Sequence, residues 1–200
     1  MSAAERLATY WDLLDTPDDG MQRQIIAGEM IVTPAPLFSH LFVQTNLQEL
    51  LAAFLRETGV RRVFPAPADV CVGPYDVVQP DLMVLEEADT NRYLDKGVVD
   101  APPIIVVEVL SPSTARVDRV AKAALYARFG VQEYWIVDPS AASVEVFSLT
   151  EGMYQPVVAN DDGSVNSEAL HGFVLRPAEI FSMYRTSSTS IVQLRDGPVE

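Results

Sequence analysis

Apolar residues recur every three or four positions between residues 39 and 58, and this spacing predicts a helix with one buried stripe. Gly59 follows directly, at the position where glycine commonly ends a helix. A second helix is predicted after the polar run 111–114, extending to Phe129 and ending at Gly130. Each of these helices therefore has an end signal of its own.

Short apolar runs between glycines, prolines and aspartates predict the strands. The run 103–110 is apolar on both faces, which is typical of a strand covered on both sides. The other predicted strands are 62–72, 77–85 with a break at Gln79-Pro80-Asp81, 133–137, and two hairpins at 24–32 and 144–158. The order of helix, three strands, helix and strand predicts an α/β fold, with a central mixed sheet of the α+β kind flanked by helices and extended by β-hairpins.

Three segments are expected along the chain: a leader at 1–20, one domain at 21–185 and a loose tail at 186–200. No apolar run approaches the roughly 18–20 residues needed to cross a bilayer. The first residues also lack the apolar core of a signal peptide. We therefore expect a soluble, cytoplasmic protein without a membrane partner.

Composition narrows the class of protein. Of the 200 residues, 48% are hydrophobic, which excludes a disordered chain, and the single cysteine, Cys71, excludes a disulfide framework. Lys and Arg number 14 against 28 Asp and Glu, a net charge of -14, whereas proteins that bind nucleic acid usually carry a basic surplus. The stretch 101–140 holds four acidic and four basic residues and is the least acidic part of the chain.

A glutamate interrupts the apolar run 103–110. An unpaired carboxylate at Glu108 is costly to bury, so a metal ion or a cationic side chain is expected beside it. Asp81 stands just before the apolar run 82–85, and if the two strands are neighbours both carboxylates lie at one end of the sheet. Converging carboxylates with water favour Mg²⁺ or Mn²⁺ over zinc. The alternative is that Glu108 pairs with an arginine and Asp81 caps a turn.

Further polar residues are candidates for the same site. Asp118, Lys122 and Tyr126 stand at i, i+4 and i+8 and share one helix face, although the first two are also compatible with an ordinary surface pair. His40 lies in the first turn of the first predicted helix, and Glu29 follows a tight turn. His40 either lies at the mouth of the site or is an ordinary polar group at the helix start, and Glu29 either reaches inward or faces water.

Several segments stand out in combination: Val78-Gln79-Pro80-Asp81-Leu82, Ile105-Val106-Val107-Glu108-Val109-Leu110-Ser111-Pro112-Ser113-Thr114, then Asp118, Lys122 and Tyr126, and Gly130-Val131-Gln132-Glu133-Tyr134-Trp135-Ile136-Val137-Asp138-Pro139. Upstream stand Gly28-Glu29-Met30-Ile31-Val32 and His40. With these segments the chain resembles the Uma two family of endonucleases, part of the PD-(D/E)XK restriction-endonuclease-like superfamily. The resemblance extends over residues 20–185, nearly the whole chain.

The resemblance implies a restriction-endonuclease-like core and a site for Mg²⁺ or Mn²⁺. Asp81 and Glu108 match the two acidic positions that bind the metal in this fold, and Glu29 is implied as an additional carboxylate near it. The superfamily pattern places a lysine two residues after the glutamate, where this chain has Leu110. Lys122 matches the position on the following helix where the family is thought to carry that lysine.

The resulting hypothesis is a Mg²⁺-dependent endonuclease that hydrolyses phosphodiester bonds in nucleic acid, with DNA as the expected substrate. Its catalytic residues are Asp81, Glu108 and Lys122. We also expect a homodimer or higher homo-oligomer, because assembly can create a local basic cleft on an acidic protein. The cleft is expected from Arg61, Arg62, Arg116 and Arg119. Two alternatives keep the fold: an inactive oligomerisation or binding module, and a hydrolase of small phosphoesters, which needs no basic surface.

Overall fold

A computed structural model describes residues 6–59, 61–112 and 114–182. Its α-helices are α1 (Tyr10–Leu14), α2 (Phe38–Thr58), α3 (Thr90–Lys96), α4 (Ala123–Phe129) and α5 (Pro177–Phe181). Its strands are β1 (Gln22–Ile26), β2 (Glu29–Thr33), β3 (Arg61–Pro65), β4 (Val70–Gly73), β5 (Asp76–Val78), β6 (Leu82–Glu86), β7 (Ile105–Val109), β8 (Glu133–Asp138), β9 (Ser143–Thr150), β10 (Met153–Pro156), β11 (Val165–Asn166) and β12 (Val174–Leu175). A π-helical segment, Val117–Lys122, leads directly into α4. The predicted tail at 186–200 lies outside the described residues.

The core of the fold is a six-stranded sheet in the order β10-β9-β8-β7-β6-β3. Strands β7 and β8 are parallel, and the other neighbouring pairs are antiparallel. This is the mixed sheet that the sequence predicted. All five residues of β7 are buried, as its apolar sequence indicated, because helices cover both faces of the sheet at this strand.

The two faces of the sheet hold two separate apolar clusters. On one face, α2 packs through the stripe that its spacing predicted, with Leu47 and Leu51 against Val107 and Trp135. The other face, which carries Tyr134, is covered by α3, the π-helical segment and α4. At the end of α2, Gly59 adopts the left-handed conformation (φ 67°) that allows the chain to leave the helix.

Two predicted strands are each divided between two sheets. The prediction of one extended segment at 62–72 is wrong, because β3 belongs to the central sheet and β4 to a smaller sheet of order β2-β1-β5-β4. The segment 77–85 is divided into β5 and β6 at Gln79-Pro80-Asp81, where the sequence predicted a break. Prolines explain both breaks, since a residue without an N–H cannot continue a ladder of hydrogen bonds. The Ala66 N–H instead donates to the Asp81 carbonyl at 2.9 Å.

The segment predicted as a leader contains α1. Its Leu13 is buried against Ile25 and Val77 of the smaller sheet. Asp12 accepts hydrogen bonds from the N–H and the hydroxyl of Thr9, which caps the helix start. Within the described ranges, none of the helices combines the length and the apolar character needed to cross a membrane.

A buried carboxylate ties the C-terminal segment to the central sheet. Glu133, at the start of β8, is fully buried. It accepts hydrogen bonds from the Trp135 indole at 2.8 Å and the Ser167 hydroxyl at 2.8 Å. The backbone N–H groups of Glu168 and Ala169 donate to its other oxygen. Four donors thus replace the water that this charge loses on burial.

Candidate active site

Asp81 and Glu108 lie side by side at one end of the central sheet. Strand β6 runs antiparallel to β7 with Leu82 opposite Val107, so Asp81 and Glu108 form the next pair outward. Asp81 Oδ2 accepts a hydrogen bond from the Val109 N–H at 2.7 Å. This bond fixes the Asp81 carboxylate against the strand that carries Glu108, and the structure therefore brings the two carboxylates together.

Glu108 is surrounded by buried donors. Lys122 Nζ lies 2.9 Å from each Glu108 carboxylate oxygen, and the Tyr126 hydroxyl donates to Oε1 at 2.7 Å. Glu108 and Lys122 are each only 3% exposed. The cationic partner of the buried glutamate in this structure is therefore Lys122 and not an arginine.

The turn that carries Lys122 is a π-helix rather than an α-helix. The Ala123 N–H donates to the carbonyl of Asp118, five residues earlier. The three residues that the sequence placed on one face stay together all the same, with Lys122 Nζ 3.3 Å from Asp118 Oδ1. Helical turns of this type are rare and frequently stand at functional sites.

Burial changes the proton affinities in this cluster. It raises the pKa of Glu108 to about 8, although the Lys122 ammonium acts in the opposite direction. Burial by itself lowers the pKa of Lys122, but the negative charges of Glu108 and Asp118 outweigh it, so that this pKa lies above its usual value. Burial also raises the pKa of Asp118. A further positive charge in the cluster would therefore stabilise the ionised carboxylates.

Helix α2 supplies two polar side chains to Asp81. His40 Nε2 lies 3.1 Å from Asp81 Oδ2, and the Gln44 amide donates to the Asp81 carbonyl at 2.8 Å. Burial lowers the pKa of His40, but the neighbouring Asp81 carboxylate outweighs this and raises that pKa overall. Sequence reasoning missed Gln44. Its position four residues after His40, on the same helix face, is the signal that could have identified it.

The clustered side chains line a cavity of about 280 Å³. The segment 33–37, after the first hairpin, and the turn after β7 contribute to its walls. Gln22, Gln24 and Gln79 also line it, and none of them was singled out from the sequence. These amides come from strands of the smaller sheet or from its connection to the central one, so only the packing of the two sheets places them there.

Glu29 lies outside this cluster. It is exposed and pairs with Ile26 at the turn end of the β1–β2 hairpin. The opposite end of the same hairpin, where Gln22 pairs with Thr33, lines the cavity. The structure therefore does not bring Glu29 to the two carboxylates, whereas Asp118, predicted only as an accessory residue, is part of the cluster.

The donor set fits a hard divalent cation better than zinc, because it offers carboxylate oxygens and no thiolate. Three buried side-chain atoms that lack a hydrogen-bond partner belong to residues lining this cavity: His40 Nδ1, Gln79 Oε1 and Asp118 Oδ1. Among the described residues, no group of three or more His, Cys, Asp or Glu side chains has the arrangement of a preformed metal site. The residues therefore fit a divalent cation held by two carboxylates, with water or substrate as its other ligands.

The arginines predicted to form a basic cleft are mostly engaged within the chain. Arg61 pairs with Glu86 and Arg62 with Glu87. Arg119 forms a bidentate salt bridge with Glu145, with Nη2 2.6 Å from Oε1 and Nη1 3.1 Å from Oε2. Arg116 is exposed. Much of the positive charge expected to contact phosphates is thus compensated by neighbouring carboxylates.

Comparison with known proteins gives two positive findings. A family model described as "Uma2: Putative restriction endonuclease" matches residues 7–178. The fold is similar to a crystal structure from Anabaena variabilis described as "a putative nuclease belonging to DUF820", with a TM-score of 0.73 and 19% sequence identity over 86% of this chain and 97% of that one. The likeness confirms the predicted fold. No curated protein matches the chain.

Proposed function

Because the chain belongs to the Uma2 family, we propose that it is a nuclease that hydrolyses phosphodiester bonds with the help of Mg²⁺ or Mn²⁺. The observation that carries this proposal is the cluster of half-buried Asp81 with buried Glu108 and Lys122 at the edge of a cavity. Two carboxylates beside an ammonium group combine ligands for a divalent cation with a donor for a phosphate oxygen.

Asp81 and Glu108 would hold the metal. When bound, a divalent cation activates water for attack and neutralises charge on the scissile phosphate. Lys122 donates to Glu108 in the absence of substrate and stabilises the negative charge that develops on the phosphate during hydrolysis. His40 and Tyr126 each hold one of the two carboxylates in place through a hydrogen bond.

The proposal takes DNA as the substrate and a cytoplasmic homodimer or higher homo-oligomer as the active form. A net charge of -14 weakens electrostatic attraction to a phosphate backbone, and assembly would be one way to offset it. The same charge, with a cavity of about 280 Å³, favours a second candidate function. In that alternative the same residues hydrolyse small phosphoesters, which require no extended basic surface.

Calorimetric titration with Mn²⁺ tests the metal site. We expect the wild type to bind Mn²⁺, and Glu108→Gln and Asp81→Asn each to lose binding by more than about tenfold, since each removes a charged ligand. Glu29→Gln is the matched control, because Glu29 is a glutamate outside the cluster, and it should bind like the wild type. Unchanged binding in Glu108→Gln, or no binding in the wild type, contradicts the proposed site.

Cleavage assays with Mn²⁺ separate the candidate functions. Labelled single-stranded DNA, duplex DNA and RNA are compared with bis(p-nitrophenyl) phosphate as a small phosphodiester. Cleavage of nucleic acid that disappears in Glu108→Gln supports the nuclease. Cleavage of the small ester alone supports the second candidate, and no cleavage of any substrate supports an inactive module.

A further inference from the structure

The carbonyl of Asp118 accepts two hydrogen bonds at the π-helical turn. One comes from the Ala123 N–H inside the helix. The other comes from the Tyr134 hydroxyl at 3.0 Å, in a buried contact between the helix and the central sheet. The turn is thus held by a backbone hydrogen bond within the helix and by a side-chain hydrogen bond from the central sheet.

Tyr134 stands on the same face of the sheet as Glu108. In the parallel pair β7–β8, Val106 lies opposite Tyr134 and Glu108 opposite Ile136, and residues two apart on a strand share a face. Tyr134 is fully buried, and its ring lies 5.3 Å from that of Tyr126. The residue that fastens the turn and the carboxylate that receives Lys122 therefore belong to one rigid surface.

The type of turn decides where Lys122 points. In an α-helix the Ala123 N–H would bond to residue 119, and the Asp118 carbonyl would bond to the Lys122 N–H. A change from this bonding to the α-helical pattern alters the angle between Asp118 and Lys122 around the helix axis, because a π turn contains more residues than the 3.6 of an α-helical turn. In the observed π turn, Lys122 and Tyr126 both reach Glu108 while Asp118 Oδ1 lies 3.3 Å from Lys122 Nζ.

We propose that Tyr134 is a positioning residue whose hydroxyl holds the Asp118 carbonyl in the π-helical turn and so keeps the Lys122 ammonium on Glu108. Its effect on hydrolysis rests on the proposed function, through the role of Lys122. Its effect on the position of Lys122 follows from the contacts alone and is measurable without a substrate.

Amine labelling measures that position directly. The chain contains two lysines, Lys96 and Lys122, so trace acetylation followed by mass spectrometry reports Lys122 with Lys96 as internal standard. Loss of one hydrogen bond, worth about 0.5–1.5 kcal/mol, should raise the labelling of Lys122 relative to Lys96 about 2- to 12-fold in Tyr134→Phe. Unchanged labelling overturns the proposal.

Tyr154→Phe is the matched control. Its ring stacks on Tyr134, and its hydroxyl also donates to a backbone carbonyl, that of Val131, at 3.0 Å. Its hydroxyl bonds to Val131 rather than to Asp118, so Lys122 labelling should remain as in the wild type. An equal rise in both variants means general loosening of the core and overturns the proposal.

Kinetics test the consequence for hydrolysis. Tyr134→Phe should lower kcat by the same factor of about 2 to 12, which corresponds to the loss of one hydrogen bond. It should leave KM unchanged. In a Lys122→Met background it should have no further effect, because the residue through which it acts is missing. A wild type without activity refutes the proposed function but leaves the labelling test intact. An active wild type whose Lys122 labelling is unchanged in Tyr134→Phe refutes only the positioning role.

A second variant keeps the test decisive if Tyr134→Phe does not fold. Val120 lies within the π-helical turn and is 65% exposed, so its deletion shortens the turn by one residue with little loss of packing. Lys122 should then be labelled readily in a folded protein. Protection of Lys122 at the wild-type level would overturn the role of the turn.

Discussion

Replacement of Lys122 by methionine is expected to destabilise the fold strongly, because methionine keeps the length of the side chain and removes its charge. In the wild type, Lys122 Nζ lies 2.9 Å from both Glu108 oxygens and 3.3 Å from Asp118 Oδ1. The variant leaves two buried carboxyl groups without their cation. Within the part of the chain that the structure describes, the hydrogen bond from the Tyr126 hydroxyl is the donor contact that remains to Glu108.

The size of the effect follows from the burial of the pair. Removing one partner of a buried ion pair costs about 3–5 kcal/mol, a large part of the roughly 5–15 kcal/mol that holds a domain folded. Lys122 lowers the pKa of Glu108, which burial nevertheless raises to about 8, so its removal raises that pKa further and the variant limits its loss by keeping a proton on Glu108 at neutral pH. We therefore expect a value near the lower end, about 3 kcal/mol, at pH 7.

The sign of the pH dependence follows from the same shift. Between the ordinary pKa of 4.5 and the raised value near 8, the folded state binds more protons at Glu108 than the unfolded state does. Stability contributed by this group therefore falls as the pH rises through that window. Lys122 lowers the pKa of Glu108 in the wild type, so Lys122→Met keeps its proton on Glu108 to higher pH, and its deficit should be larger at pH 8, where the wild-type Glu108 begins to ionise, than at pH 5.

Denaturant unfolding of both proteins at pH 5, 7 and 8 measures these differences. Lys96→Met is the matched control, because Lys96 is the other lysine of the chain and forms an exposed pair with Asp100. Its loss should cost less than about 1 kcal/mol. A deficit for Lys122→Met below about 1 kcal/mol, or one that grows towards low pH, would refute the reasoning.

Three further predictions concern other buried or capped groups. Glu133→Gln should lower the free energy of unfolding by about 2–4 kcal/mol in denaturant titrations, because the NH₂ group of glutamine then faces N–H and O–H groups whose hydrogen bonds the carboxylate oxygen accepted. An unchanged unfolding midpoint would contradict this. The hydroxyl and the N–H of Ser164 lower the pKa of Asp162, so this carboxylate contributes stability that is lost as the pH falls through its folded-state pKa. Ser164→Ala should move the NMR titration of Asp162 upward, and no movement would remove the stated cause. His40→Ala should weaken Mn²⁺ binding about 10- to 100-fold in calorimetry, because it removes one of the hydrogen bonds that orient the Asp81 carboxylate; wild-type affinity would exclude that role.

Local signals in the sequence account for the elements that were predicted correctly. Helix α2 follows from a stripe that repeats every three or four residues and from the glycine at its end. Strand β7 follows from a short run that is apolar on both faces. In each case the residues that form the element are also those that bury it, so the pattern along the chain contains the necessary information.

Tertiary pairing decided what the local pattern left open. Strands β3 and β4 read as one extended segment, yet they join different sheets because their partners, β6 and β5, come later in the chain. The sequence left open whether Glu29 reaches the site or faces water. The register of the β1–β2 hairpin places Glu29 at the turn, away from the cavity.

By itself, the sequence determined that Glu108 must be buried in a central strand and that a cation had to accompany it, because an apolar run leaves a charge no access to water. It also singled out Asp81 and Lys122 as its partners through spacing and family resemblance. Only the tertiary structure decided that Lys122 reaches Glu108 from a π-helical turn fastened by Tyr134, that Gln44 supports Asp81, and that four donors satisfy Glu133. These are contacts between segments distant in the chain, and such contacts depend on packing geometry that no local pattern specifies.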